Sequence, residues 1–325
     1  MTDSHPIIHA FQLDGGGSAT PIPVEEAAEA AQDKSRLTWL HINVLNPGAL
    51  NLLENQLGLD WLIAEALMAD ETRPRMMELN EGVLIILRGV NLNQGAEPED
   101  MVSLRAWITE YGVISAGRRQ LKATADIIEK LEQNMGPCGA GEWLTEMCVE
   151  LYDHMQSAVT TLNETTDDLE DRVLVSQDES IRESIISTRK RAIVFRRYIS
   201  PQRDVIARLQ TSELPWISAN DKRRLTEVMD WLTRYVEDLD AIRERSQVIK
   251  DELAAAMNDR LNRHLYLLSI VAAVSLPLGL LTGLFGINIG GMPGVDDGNA
   301  FWLFSVLLVA LLVLEIVYLR KKGWI

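Results

Sequence analysis

The sequence predicts an α+β protein whose C-terminus spans a membrane, and three observations carry that prediction. Strand-length apolar runs alternate with short helical patterns over about the first 135 residues. Long apolar stripes at helical and then heptad spacing occupy the middle of the chain. Two spans that are almost free of charge, joined by a glycine-rich loop, close it. The organisation expected is 1–135 as a layered α/β domain, 136–220 as a helical hairpin region, 221–264 as a stalk helix and 265–325 as a transmembrane part.

In the first segment, Leu37–Val44 and Gly82–Val90 are apolar runs of strand length. Leu104–Thr109 alternates apolar and polar residues, and a Tyr111-Gly112 turn leads into Val113–Ala116, a further strand. Pro47–Leu57 and Trp61–Ala69 carry helical patterns. Interleaving of this kind favours layers of helix on sheet. Gly15-Gly16-Gly17 follows a possible strand, but no helix opens there with the lysine a phosphate loop needs, so a turn is expected.

From Glu142 an apolar stripe runs Leu144, Cys148, Leu151, Met155, Val159, Leu162, Leu169, Val173. A turn near Ser176–Glu179 starts a second helix through Ile181, Ile185, Ala192 and Phe195. Pro201 is expected to kink or end it, because proline lacks the N–H and disfavours helix at Ser200. Asp167, Asp168, Glu170 and Asp171 lie across the turn from Arg182, Arg189, Lys190 and Arg191, and antiparallel packing would pair them. That pairing accounts for the basic cluster without nucleic acid.

After Leu214-Pro215-Trp216 a new helix is expected, capped by Ser218 or Asn220. Leu225, Val228, Leu232, Tyr235, Leu239, Ile242, Ser246, Ile249 and Leu253 alternate steps of three and four, a coiled-coil seam. Helix should continue from Asp221 to Leu284, about 95 Å at 1.5 Å per residue. A seam implies partner helices, and two spans cannot enclose a water path; both point to an oligomer.

No charge occurs from Leu265 to Val295, and only Glu315 interrupts Ala300 to Leu319. About 20 apolar residues cross a bilayer core of roughly 30 Å, so spans are expected near 265–285 and 300–319, with an outer loop at 286–299. Arg260 and Arg263 precede the first span and Arg320, Lys321 and Lys322 follow the second, whereas the loop carries Asp296 and Asp297. Positive residues stay inside, so both termini and the large N-terminal part are expected in the cytoplasm. The N-terminus has no apolar core of a signal peptide.

The membrane part balances its charges, so the whole net charge of −16 falls on residues 1–264, which disfavours nucleic acid and favours cations. Cys138 and Cys148 do not form a thiolate site, and Cys148 lies on an apolar stripe. No Ser/His/Asp or Cys/His arrangement suggests an enzyme. Leu265, Leu268, Ala272, Leu276, Gly279, Gly283 and Asn288 recur near helical spacing. Small residues among them suit close packing as well as a pore. Asn288 favours the pore, since a neutral amide and freed glycine carbonyls can accept from the water shell of a divalent ion.

Gly286-Ile287-Asn288, at the outer end of the first of two C-terminal spans, resembles the glycine–x–asparagine signature of the CorA superfamily of divalent-cation transporters. Isoleucine in its middle, followed by Ile289-Gly290-Gly291-Met292-Pro293-Gly294, resembles the ZntB zinc-transport branch. The resemblance extends through Thr72-Arg73-Pro74-Arg75, Arg196-Arg197-Tyr198, Pro201-Gln202-Arg203-Asp204 and Leu214-Pro215-Trp216. It implies a homopentameric funnel in the bacterial inner membrane with an αβα cytoplasmic domain. It also implies zinc or another divalent ion as cargo, inward transport and no cofactor. By position, Asn288 would form the outermost ring, with Leu284, Gly279, Leu276, Leu268 and Leu265 lining the pore below. Gly279 stands where members often have threonine, which removes a hydroxyl ring. No His or Cys ring selects zinc, and His264 at the inner end suits the interface equally.

Overall fold

The computed structural model describes residues 5–70, 73–79, 82–175, 179–287, 294 and 297–324. The chain divides into two compact units, Met1–Lys250 and Asp251–Ile325.

The first unit is built on one seven-stranded sheet. In chain order it has β1 (Ile7–Leu13), β2 (Ala19–Pro21), α1 (Ala27–Ala30), β3 (Thr38–Asn43), α2 (Ala49–Asn51), α3 (Trp61–Met68), β4 (Arg75–Leu79), β5 (Gly82–Gly89), β6 (Val102–Ile108) and β7 (Gly112–Gly117). Then come α4 (Lys122–Glu132), α5 (Ala140–Val175), α6 (Glu179–Thr211) and the start of α7 (Ala219–Gly286). The strand order is β2-β1-β3-β7-β6-β5-β4. Among the described residues only β3 and β7 pair in parallel, so the sheet is mixed.

The apolar runs read as strands because both faces of the sheet are covered. Along β5, side chains alternate faces. Val83, Ile85 and Leu87 join a core with Trp143, Met147 and Leu151 of α5. Leu84 joins a second core with Leu53, Ile63 and Leu67. The layers are therefore αβα, with α4 to α7 on one face and α1 to α3 on the other. Trp39 of β3 meets Trp143 edge-on at 5.3 Å, linking sheet to helices. The expected helix at Pro47–Leu57 is α2 followed by a π-helical turn, Leu52–Gln56. Gly15 and Gly17 have positive φ in the β1–β2 turn, where the Asp14 carboxylate accepts from Gly16 N at 2.7 Å and Ser18 N at 3.1 Å. The glycine triplet is a turn, as expected.

Two expectations are corrected and one is narrowed. Pro201 lies inside α6 and does not end it; proline removes one helical hydrogen bond, and the burial of Ile199, Val205 and Ile206 around it offsets that loss. On α5, Asp167 and Glu170 have their partner on another helix rather than across the turn. Arg245 of α7 takes both, with Nε donating to Glu170 at 2.8 Å and Nη2 to Asp167. Arg191 instead reaches Glu99 at 3.0 Å. The seam of α7 from Leu225 to Ile242 is buried in one core with α5 and α6 of the same chain. Its partner helices are internal, so the seam gives no argument for an oligomer.

Ser218 caps α7. Its backbone N–H donates to Asp221 Oδ2 at 2.8 Å, and the Asp221 N–H donates back to Ser218 Oγ at 3.2 Å, a reciprocal capping box. Cys148 is fully buried and its thiol is pushed up to about 12 by that burial, as befits core packing.

Candidate ion path

The second unit is a helical hairpin, made of the last part of α7 and of α8 (Ala300–Lys321). Both helices are long and apolar enough to cross a membrane, and neither apolar stretch is buried within the chain. Leu265, Leu268, Leu276, Leu280 and Leu284 on α7, and Leu303, Val306 and Val309 on α8, are exposed. Exposed apolar surface of this extent is stable only when lipid or other protein covers it.

Aromatic contacts join the two helices at both ends. Phe285 meets Phe304 with ring centroids 4.7 Å apart. At the other end the Tyr266 hydroxyl donates to the Trp324 carbonyl. Rings at the span ends suit the membrane–water interfaces. Arg260 and Arg263 lie toward the Tyr266 end of α7, and Arg320, Lys321 and Lys322 close α8 at the same end of the hairpin. Asp297 lies at the opposite end. There its carboxylate accepts from Asn299 N at 3.0 Å in the turn that starts α8.

Continuous helix fixes which side chains share a face, at roughly 100° per residue. Leu265, Leu268, Ala272, Leu276, Gly279 and Gly283 fall within about 80° of one another. Leu284 lies roughly 100° from Leu265, so Gly283 continues this stripe in a regular helix and Leu284 does not. Pro277 sits inside α7, which runs on to Gly286. A Cβ added at Gly279 or Gly283 would meet nothing within 4 Å in this chain. Thr282 and Ser269 donate back to helix carbonyls, to Leu278 at 2.9 Å and Leu265 at 2.9 Å, so their hydroxyl protons are already used. Gly286 ends α7 and Ile287 follows it exposed. Asn288 and Asp296 lie outside the described residues, as does Thr72.

Glu315 interrupts the apolar stretch of α8 five residues before Arg320. Its Oε2 is buried and has no hydrogen-bond partner among the described residues. Five residues turn Arg320 roughly 140° away around α8, which explains the missing pair.

One cluster escaped the sequence reading. Asp126 of α4 with Glu150 and His154 of α5 place potential ligand atoms within 4.8 Å of one another. His154 Nε2 lies 2.6 Å from Asp126, while Lys122 and Lys130 lie 2.7 and 2.6 Å from Asp126 and Glu150. Burial works to raise the pKa of Asp126, but the Lys122 and His154 hydrogen bonds outweigh it and hold it below its usual range. These lysines neutralise the carboxylates and would have to leave before a metal bound. Only helical register brings the three together across two helices, so no local motif announces them.

Comparison with known proteins sets this geometry in a family. The family described as CorA-like Mg2+ transporter protein matches residues 34–321. The zinc transport protein ZntB of Pectobacterium atrosepticum is 38% identical over 318 residues, covering 98% of this chain and 96% of that protein. ZntB of Yersinia pseudotuberculosis is 36% identical with the same coverage. Among solved structures, full-length CmaX superposes with a TM-score of 0.85 at 35% identity, covering 99% of both chains. The CorA magnesium transporter of Methanocaldococcus jannaschii shares the fold at a TM-score of 0.83 and 20% identity, covering 98% of this chain and 99% of that one. By the family match and by relatives alike along nearly the whole length, the chain belongs to the CorA-like Mg2+ transporter protein family.

Proposed function

We propose that the chain carries divalent metal cations, zinc foremost, across the bacterial inner membrane, with both termini in the cytoplasm. The observation that carries this reading is full-length similarity to zinc transport proteins, joined to two exposed apolar helices in a hairpin. Family membership alone fits magnesium as well, and zinc rests on the curated relatives.

Two spans leave no room for an internal water path, so the conducting form is an oligomer, and the family resemblance makes it a homopentamer. Leu265, Leu268, Leu276 and Gly279 line its path, with Leu284 near the mouth and Asn288 as the outermost ring following Gly286 and Ile287. Leucine rings offer no ligands, so the ion passes with its water, while amide and backbone carbonyls at the mouth accept from that water. Neutral acceptors suit a hydrated divalent cation, which a ring of carboxylates would trap. Asp296 and Asp297 raise the local cation concentration outside the mouth. The process breaks no covalent bond and needs no cofactor or catalytic residue.

Metal flux into liposomes holding the purified full-length protein tests this. Uptake of zinc above protein-free vesicles, and above magnesium, cobalt and nickel, is expected. No flux of any metal from a correctly assembled oligomer would make the chain a membrane-tethered sensor or scaffold instead. Faster magnesium than zinc would move it to the magnesium transporters.

A further inference from the structure

Ion transport leaves one feature of the first unit unused: a cavity of about 460 Å³ walled by five arginines against three carboxylates. In a chain of net charge −16 this is a local reversal of sign. The strand register explains how the arginines converge. Arg88 of β5 pairs with Ser103 of β6, and Arg105 pairs with Ala116 of β7. Alternation then places Arg88 and Arg105 on one face, and Arg118, two residues beyond Ala116, follows at the same end of the sheet. From α6, Tyr198 holds the Arg88 and Arg197 guanidiniums 4.5 and 4.7 Å from its ring centroid. Arg197 also donates to the Tyr198 hydroxyl at 2.7 Å.

Arg105 is the telling member. It lies in the middle of β6, is 1% exposed, and borders the cavity. Its Nε and Nη1 have no hydrogen-bond partner among the described residues. Burial, with the Arg88 charge beside it, pushes its pKa down to about 10. Buried guanidinium is costly unless a partner compensates it. Of the cavity's three carboxylates, Asp70 pairs with Arg118 within the wall and Glu99 with Arg191 outside it, so neither of these two is given to Arg105.

We propose that this cavity binds a small phosphorylated metabolite, with its phosphate oxygens accepting from Arg105 and the surrounding guanidiniums. Planar guanidinium forks match phosphate oxygens, and several converging on one cavity favour a multiply charged anion. The volume exceeds what a halide fills and lies in the range that holds a small organic ligand. The proposal is independent of which metal is carried.

The test is calorimetric titration of the full-length protein in detergent, in chloride-free buffer with a chelator, using adenosine triphosphate, inorganic phosphate and chloride as separate probes. Saturable binding of the triphosphate, tighter than inorganic phosphate, is expected. Arg105→Gln should weaken it at least tenfold. If that buried variant does not fold, Arg119→Ala and Arg197→Ala at the exposed rim decide, and each should weaken binding severalfold. No heat from the triphosphate at millimolar concentration, unchanged binding in both rim variants, or chloride competing as well as the triphosphate would each overturn the proposal.

Discussion

Replacing Arg245 by methionine should cost the first unit about 2 kcal/mol, and the reasoning can be followed bond by bond. The guanidinium donates to Glu170 from Nε and Nη2 at 2.8 and 2.7 Å, to Asn163 from Nη1 at 3.1 Å, and to Asp167. Those hydrogen bonds, Glu170 first, raise its pKa above the ordinary arginine value. Charge-assisted bonds contribute about 1.5–3 kcal/mol when dry, but exposed ion pairs only about 0–1. Here the side chains are 31% exposed for Arg245, 58% for Asp167 and 42% for Glu170, so each carboxylate is assigned the exposed-pair range. Two such pairs give about 1.5 kcal/mol, and leaving Asp167 and Glu170 facing each other three residues apart on α5 adds a few tenths. Methionine keeps most of the apolar stem and isolates the charge. In a unit of this size, thermal unfolding should drop by roughly 4–8 °C. Denaturation of wild type, Arg245→Met, Glu170→Gln and the double variant gives the coupling energy, which should reach about 1 kcal/mol and fall by half or more in 1 M salt. A coupling below about 0.3 kcal/mol, or one unaffected by salt, would refute the clamp.

Further outcomes are expected at three sites. Asp296→Asn with Asp297→Asn should slow metal uptake mainly at low ionic strength, because asparagine keeps the acceptor for Asn299 N at 3.0 Å and removes only charge; equal loss at high salt would mean direct coordination. Glu315→Gln should transport nearly normally and assemble as well or better, since the substitution removes a charge whose Oε2 is buried with no partner among the described residues; losing pH-gradient stimulation would instead place Glu315 in the transport cycle. His41 is buried beside Ser115 at 2.8 Å, and burial, then His9, push its pKa from 6.5 down to about 4. The unfolded chain therefore takes up the proton first. Stability from this site is present above the unfolded value and is lost as pH falls from about 6.5 to 4, roughly 2 kcal/mol between pH 7.5 and 5. Melts of wild type against His41→Gln across that range should converge at low pH, and parallel curves would exclude His41.

The sheet was legible where strands are apolar on both faces or alternate cleanly, as at β3, β5, β6 and β7. Edge strands β2 and β4 were missed. The first has only three residues, and the second carries Arg75 and Glu78 among its methionines, so neither reaches the apolar content of a central strand. Amphipathic α4 was missed too, being short and opening on Lys122 without a side-chain cap. Heptad spacing located α7 but could not say whose helices fill its seam, because periodicity records that a face is buried and not by which chain. The same limit misled the charge pairing on α5: spacing brought forward the nearest arginines in sequence, whereas Arg245 arrives from another helix. The spans and their flanking charges were plain because lipid imposes length and composition directly. The cavity around Arg105 had no local signal at all, since its arginines come from three strands or strand ends and a helix.

The most direct test of the transport account is zinc flux through Asn288→Ala in liposomes, set beside wild type at equal protein density and verified oligomeric state. Asn288 is proposed as the first acceptor for the hydrated ion, next to Gly286 and Ile287 at the end of α7. Flux at the level of protein-free vesicles from an intact oligomer is the expected result. Wild-type flux from Asn288→Ala would contradict the account, remove the asparagine ring from the path and leave the α7 stripe without its mouth.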